Sequence, residues 1–206
     1  MVRARKGLFV VLEGPDKSGK STQARLLVSA LKAAGRRVLH TREPGGTAAA
    51  EAIRKVLLDP RLRVSPTAEL FLYEASRAQH TDEVLRPALA AGKVVVCERY
   101  TMSTDAYQGV ARGLGLGVTG PLNRAATRGL KPDLTVVITV PSHAFNTRDR
   151  KRKLDRLERE NAAFRRKVRD AYRLLAARDK AVLLDGARSI EDLRADILRR
   201  VQRRLA

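Results

Sequence analysis

Strands that alternate with helices along 206 residues predict an α/β protein, with a parallel sheet of about five strands covered by helices on both faces. Three observations carry that expectation. Short unbroken apolar runs, Leu8 to Leu12, Val94 to Cys97 and Leu134 to Val140, read as strands buried on both sides. Amphipathic helical patterns separate them. The stretch Gly14 to Ser21, GPDKSGKS, matches GxxxxGK[ST] and stands between the first strand and the first helix, where a phosphate-cradling loop belongs.

Taken in order, Leu8 to Leu12 leads into the loop, and Lys20 to Ala34 places Leu26, Leu27, Ala30 and Leu31 on one helical face before Gly35 stops it. Arg37 to Thr41 is a short strand, and Pro44-Gly45-Gly46 makes Arg42 to Thr47 a loop. Ala48 to Leu58 is a helix. Ser65-Pro66 reads as an N-cap with proline at the first helical position, and the helical region that follows runs to about Ala91, with a break near His80. Lys93 to Glu98 is the next strand. Thr101 to Val110 is helical in pattern, the glycine-rich Gly109 to Gly120 reads as loop, and a helix covers Pro121 to Arg128. After the strand Leu134 to Val140 comes a very basic stretch, Arg148 to Lys153, and then a long charged helix, Asp155 to Arg178. Ala181 to Asp185 is the last strand; Ser189 to Asp192 opens the last helix with capping-box spacing.

In a sheet of this kind the sites lie beyond the C-terminal ends of the strands. The residues there are the distinctive polar ones: Glu13 to Thr22, Arg42 to Thr47 and Glu98 to Gln108. Gly14 and Gly19 permit a tight turn whose amide hydrogens point inward, and the helix N-terminus adds partial positive charge, so Gly14, Pro15, Asp16, Lys17, Ser18, Gly19, Lys20, Ser21 and Thr22 form a nucleoside triphosphate cradle. Lys20 reaches the β- and γ-phosphates, and the Ser21 hydroxyl ligates Mg²⁺. Glu98, at the end of a buried strand, is placed to reach the same metal directly or through water; Arg99 beside it suits a second phosphate group. Tyr73 and Arg77, at i and i+4, share one helical face. From spacing alone an ordinary amphipathic surface is the better reading of them.

Composition narrows the class. There are 42 basic and 22 acidic residues, a net charge of +20, but the charges are spread through helices and aromatics are only 4%, so nucleic acid is expected to adhere nonspecifically and no more. The apolar runs are too short to span a bilayer and the basic N-terminus leads straight into a strand, which makes a cytoplasmic location the expectation. Cys97, the single cysteine, follows three valines and reads as a buried strand residue.

Several motifs in one order resemble the bacterial thymidylate kinase family: LEGPDKSGKST (Leu12 to Thr22), TREPGGT (Thr41 to Thr47), LYEASRAQH (Leu72 to His80), ERYTMSTDAYQG (Glu98 to Gly109), LKPDLT (Leu130 to Thr135) and LDRLE (Leu154 to Glu158). The resemblance covers nearly the whole chain. It implies a single-domain, three-layer P-loop NTPase fold with a short basic lid over about 142–156, transfer of the ATP γ-phosphoryl group to dTMP with Mg²⁺, and a homodimer. It further implies that Tyr73 stacks on thymine in place of a phenylalanine, and that Arg77, with Thr104, Ser103 and Gln108, recognises the acceptor. Arg99 then holds the dTMP phosphate, Tyr107 packs against the sugar, Asp16 faces the deoxyribose and the metal region, and Arg148, Arg150 and Arg152 of the lid close over ATP.

The chain departs from the family at three places. Glu98 stands where the family usually has aspartate, Thr147 and Asp149 fall at lid positions that are often basic, and Lys17 replaces a small loop residue with a second cation for the γ-phosphate. These departures keep two other readings open: a related kinase with another nucleotide or nucleoside as acceptor, and a catalytically weak nucleotide- or nucleic-acid-binding derivative.

Overall fold

The structure, a computed structural model, describes residues 7–140 and 155–205. Five strands, β1 (Leu8–Glu13), β2 (Val38–Arg42), β3 (Val94–Glu98), β4 (Leu134–Thr139) and β5 (Val182–Asp185), form one sheet in the order β2-β3-β1-β4-β5. Every pairing is parallel; Val10, for instance, lies beside Val96 on one side and Leu134 on the other. The strand order reverses around β1, so a crevice opens beyond its C-terminal end. The phosphate loop leaves from that end.

The period of two along the strands sorts the core. Leu8, Val10 and Leu12 face α1 (Lys20–Ala33) and the last helix α8 (Ile190–Leu205), in a cluster that takes in Leu27, Leu31, Ile197 and Val201. Phe9 and Val11 face the other way, against Leu85, Ala88 and Tyr100. Val137 on β4 instead meets α7 (Ala162–Arg178) through Phe164, Tyr172 and Leu175. Both faces of the sheet are thereby dry, which is why its central strands read as continuous apolar runs.

Capping residues set the helix starts. The Thr47 hydroxyl accepts from Ala50 N at 3.1 Å to open α2 (Ala48–Leu58), and Ser65 accepts from Ala68 N to open α3 (Pro66–His80). At the end of α3 the chain widens into a π-helical turn, Thr81–Leu85, and continues as α4 (Arg86–Ala90), so the expected break near His80 is a widened turn within one continuous helical run. A second π-helical segment, Asp105–Ala111, continues the short α5 (Thr101–Thr104).

Two expectations need correction. The glycine-rich segment is not loop to Gly120: α6 runs from Leu116 to Thr127 with Pro121 inside it. Tertiary packing overrides its low propensity, because Asp105 Oδ1 accepts from Thr119 Oγ1 at 2.6 Å and from Asn123 Nδ2 at 2.9 Å, pinning the first turns of α6. The helix expected from Asp155 starts at Ala162, because Asn161 caps it by accepting from Phe164 N at 2.8 Å. The lid expected over 142–156 falls almost wholly outside the described residues, as do Arg148, Arg150 and Arg152. No helix among the described residues is long and apolar enough to cross a membrane.

Candidate active site

The loop after β1 is built around close backbone approach. A Cβ on Gly14, where φ is +136°, would stand 2.1 Å from the Ile138 carbonyl oxygen of β4, so only glycine fits. Lys20 is buried at the start of α1 and its Nζ donates to the Pro15 carbonyl at 2.6 Å and to Ser18 Oγ at 3.4 Å, folding the ammonium back over the cradle. Burial, then the nearby Arg99 charge, push Lys20 down to about 7 against the pull of Asp16, Glu13 and Glu98. Residues Asp16 to Gln23 line a cavity completed by Arg42, Glu98, Asp155, Arg188, Ile190 and Leu193. Lys17 lines it too, with its backbone in the left-handed region at φ 60°.

At the mouth of this cavity Ser21 Oγ donates to Glu98 Oε2, while His40 Nε2 lies 2.9 Å from Glu98 Oε1. Burial opposes ionisation of Glu98, but the hydrogen bonds from His40 and Ser21 outweigh it and hold the carboxyl below its ordinary range. No group of three His, Cys, Asp or Glu side chains suited to a metal occurs among the described residues. A hydroxyl and one ionised carboxylate side by side are instead the donor set for a hard cation that takes its other ligands from phosphates and water. The site therefore fits Mg²⁺ carried with a nucleotide.

A second cavity lies on the other side of the loop, lined by Asp16, Glu43, Arg54, Tyr73, Arg77, Arg99, Ser103, Thr104, Tyr107, Gln108 and Asp155. Arg99 is held in the left-handed region at φ 68° immediately after β3, a costly conformation that turns its side chain back under the loop. Its guanidinium donates to Gly14 O at 3.1 Å, to Tyr172 Oη at 3.1 Å and to Asp16 Oδ1, and it sits 5.2 Å above the Tyr107 ring. Tyr107 Oη donates to the other Asp16 oxygen at 2.8 Å. Burial disfavours the Asp16 carboxylate, but Arg99 and Lys20 more than compensate and hold it at about 2. Asp16 and Arg99 line both cavities and form the wall between them.

Arg77 is 2% exposed and saturated on most sides: it donates to Glu43 at 2.8 Å, Glu74 at 2.7 Å, Thr104 at 2.8 Å, Asn123 at 2.9 Å and the Tyr100 carbonyl at 3.0 Å. The Tyr73 ring stands one turn away, and its hydroxyl makes no hydrogen bond among the described residues.

The sequence reading gave no role to the groups that hold these residues in place. Glu13, fully buried at the end of β1, accepts from Tyr100 N at 2.8 Å, Ser103 N at 3.1 Å, Ser103 Oγ at 2.6 Å and Tyr172 Oη at 3.0 Å, tying the segment after β3 to the root of the loop. Its place at the end of an apolar strand, opening the stretch Glu13 to Thr22, was the signal that could have found it. Glu43, inside the strand-end stretch Arg42 to Thr47 but given no role there, joins Arg77 to His80; Arg54 lines both cavities from α2, with no local pattern to mark it. Of the LDRLE motif, Asp155 lines both cavities. Arg156 turns away, donating to the Leu57 carbonyl at 2.9 Å and pairing with Glu69 at 2.6 Å.

A parallel sheet with a phosphate loop at its switch point, and beside it a second cavity sharing a wall of Asp16 and Arg99, defines a P-loop phosphotransferase. The family model described as thymidylate kinase matches residues 12–197. Curated thymidylate kinases of Thermosipho africanus and Pseudomonas fluorescens are 42% and 47% identical, over 96% and 93% of this chain and 99% and 93% of theirs. A crystal structure of thymidylate kinase from Ehrlichia chaffeensis superposes with a TM-score of 0.78 at 28% identity, over 96% of this chain and 99% of that one. The chain belongs to the thymidylate kinase family.

Proposed function

We propose that the protein is a cytoplasmic enzyme that transfers the γ-phosphoryl group of ATP to dTMP, giving dTDP and ADP, as a single catalytic domain whose lid spans 142–156. The observation that carries this reading is the shared wall: the same Asp16 and Arg99 bound the cradle for the donor and the cavity for the acceptor, which would set the γ-phosphate of ATP against the single phosphate of dTMP. Little covalent chemistry is asked of the protein in such a transfer. Positioning and charge neutralisation do the work.

In this reading Lys20 and Lys17 bind the donor phosphates and the backbone of Gly14 to Thr22 cradles them. Ser21 and Glu98 would hold Mg²⁺, which supplies charge neutralisation on the β- and γ-oxygens when bound with ATP. Both Asp16 oxygens are taken by Arg99 and Tyr107, so Asp16 acts chiefly as the acceptor-side anchor of Arg99. Arg99 holds the dTMP phosphate, Tyr73 stacks on the base, and Arg77, Thr104 and Gln108 line its polar edge. Tyr107, closed by its bonds to Asp16, fills the space beside the sugar. Arg148, Arg150 and Arg152 cover the transferring group from the lid. An ionised phosphate nucleophile needs no general base. The exposed Phe71 of α3 and Leu116 and Val118 of the neighbouring α6 supply an apolar face for the second copy of a homodimer. The +20 charge attracts nucleic acid only nonspecifically.

An acceptor panel of dTMP, dUMP, dGMP and thymidine with MgATP tests the reading. Preference for dTMP is the expected result; equal use of the others refutes it.

A further inference from the structure

One buried carboxylate outside the residues assigned to either substrate gathers four donors. Glu69 on α3 is fully buried. Its Oε1 accepts from Gln108 Nε2 at 2.8 Å and Arg112 Nε at 3.2 Å; its Oε2 accepts from Arg112 Nη2 at 3.2 Å and pairs with Arg156 Nη1 at 2.6 Å. Arg112 is itself anchored, by Glu160 at 2.6 Å and by the Phe164 ring 4.6 Å below its guanidinium. Glu69 is therefore fixed from three directions.

That has a consequence for Gln108. A carboxylate only accepts, so the amide beside it must turn its NH₂ toward Glu69 and its carbonyl oxygen the other way. Gln108 lines the acceptor cavity, and its carbonyl oxygen makes no hydrogen bond among the described residues. The cavity is left with an acceptor to offer. A pyrimidine whose ring nitrogen carries hydrogen, as thymine N3 does, can pair with it; one whose ring nitrogen is bare, as in cytosine, sets lone pair against lone pair. We propose that Glu69 is a positioning residue for base selectivity, fixing the Gln108 amide so that the pocket accepts an N–H pyrimidine edge. The proposal rests on the reading of this cavity as the dTMP site.

Glu69→Gln is the informative change. The new NH₂ cannot stand at the Oε2 position, where it would face both Arg112 Nη2 and Arg156 Nη1. At the Oε1 position it meets a single arginine donor, Arg112 Nε at 3.2 Å, so this is the less costly place for it, and Gln108 answers by turning its own amide, so a donor now points into the cavity. The test measures kcat/KM for dTMP, the Ki of dCMP as a competitive inhibitor, and KM for ATP, in wild type, Glu69→Gln and Arg112→Gln. A mismatched buried hydrogen bond of this kind shifts discrimination by about 10- to 100-fold.

The expected result is a fall in kcat/KM for dTMP and tighter dCMP binding in Glu69→Gln, with KM for ATP unchanged. Arg112→Gln, which disturbs the same cluster but keeps the bond between Glu69 and Gln108, should retain wild-type discrimination. Discrimination in Glu69→Gln within about twofold of wild type overturns the proposal. So does an equal shift in both variants, which would mark general loosening. Should Glu69→Gln not fold, Gln108→Met removes the same amide without touching the ion pairs; it too must lose the discrimination, and retention overturns the proposal. A wild type that does not prefer dTMP overturns the acceptor assignment and this proposal with it, a pattern distinct from a preference that survives Glu69→Gln.

Discussion

Nucleotide binding should take up a proton, and the proton should land on Lys20. In the free protein its ammonium is buried, faces Arg99, and titrates at about 7. Phosphate oxygens entering the cradle supply the missing anionic partners and return the group to its ordinary value of 10.5 or higher. The ligand thus selects the protonated form, and affinity is lost as pH rises through the free-state value. The ammonium fraction of the free protein is about one half at pH 7, about one tenth at pH 8 and about one hundredth at pH 9. The Kd of a non-hydrolysable ATP analogue with Mg²⁺ should rise about fivefold over the first unit and about ninefold over the second, with about 0.9 proton taken up at pH 8. Calorimetric titration in buffers of different ionisation enthalpy reads that uptake directly. Phosphate titrates near pH 6 and contributes little above 7. Lys20→Arg, which does not titrate in this range, should flatten the profile. A constant Kd between pH 7 and 9 with no buffer-dependent heat refutes the argument.

Other consequences concern the remaining charges and the base. Arg99→Ala should lower kcat/KM for dTMP about 100-fold or more while the Kd of the ATP analogue moves less than about threefold; equal losses would place Arg99 on the donor. Glu98→Gln should raise the Mg²⁺ concentration for half-maximal rate about tenfold, and an unchanged metal dependence would remove Glu98 from the cation seat. Tyr73→Phe, losing a hydroxyl without a hydrogen-bond partner among the described residues, should leave the melting free energy within about 0.5 kcal/mol. Tyr73→Ala should raise KM for dTMP about tenfold by loss of stacking. Equal effects of the two changes would show that the ring does not meet the base.

Local chemistry made some features legible. The unit of β1, loop and α1 could be read because strand burial, glycine placement and helix stop are all written in consecutive residues, and the same holds for the caps at Ser65 and Ser189. The first turns of α6 could not, because what holds Leu116 to Gly120 helical is Asp105, a residue eleven or more positions away along the chain. The scaffolding roles of Glu13, Glu43 and Glu69 escaped for the same reason. A carboxylate becomes a scaffold only through the donors that surround it, and their donors come from α3, α5, α7, the π-helical segment Asp105–Ala111, the turn after β3, and Arg112 and Arg156.

By itself, then, the sequence determined that a parallel sheet carries a phosphate loop, and its ordered motifs pointed to the family. Those are matters of period and spacing, which neighbouring residues settle among themselves. Only the tertiary structure decided that Arg99, in a left-handed conformation after β3, reaches under the loop to Asp16 and builds the wall between two cavities. It also decided that Arg156 serves Glu69 instead of the donor cavity. The physical reason is that a buried charge takes its role from whichever partner the fold brings within hydrogen-bonding reach, and that partner is distant in sequence.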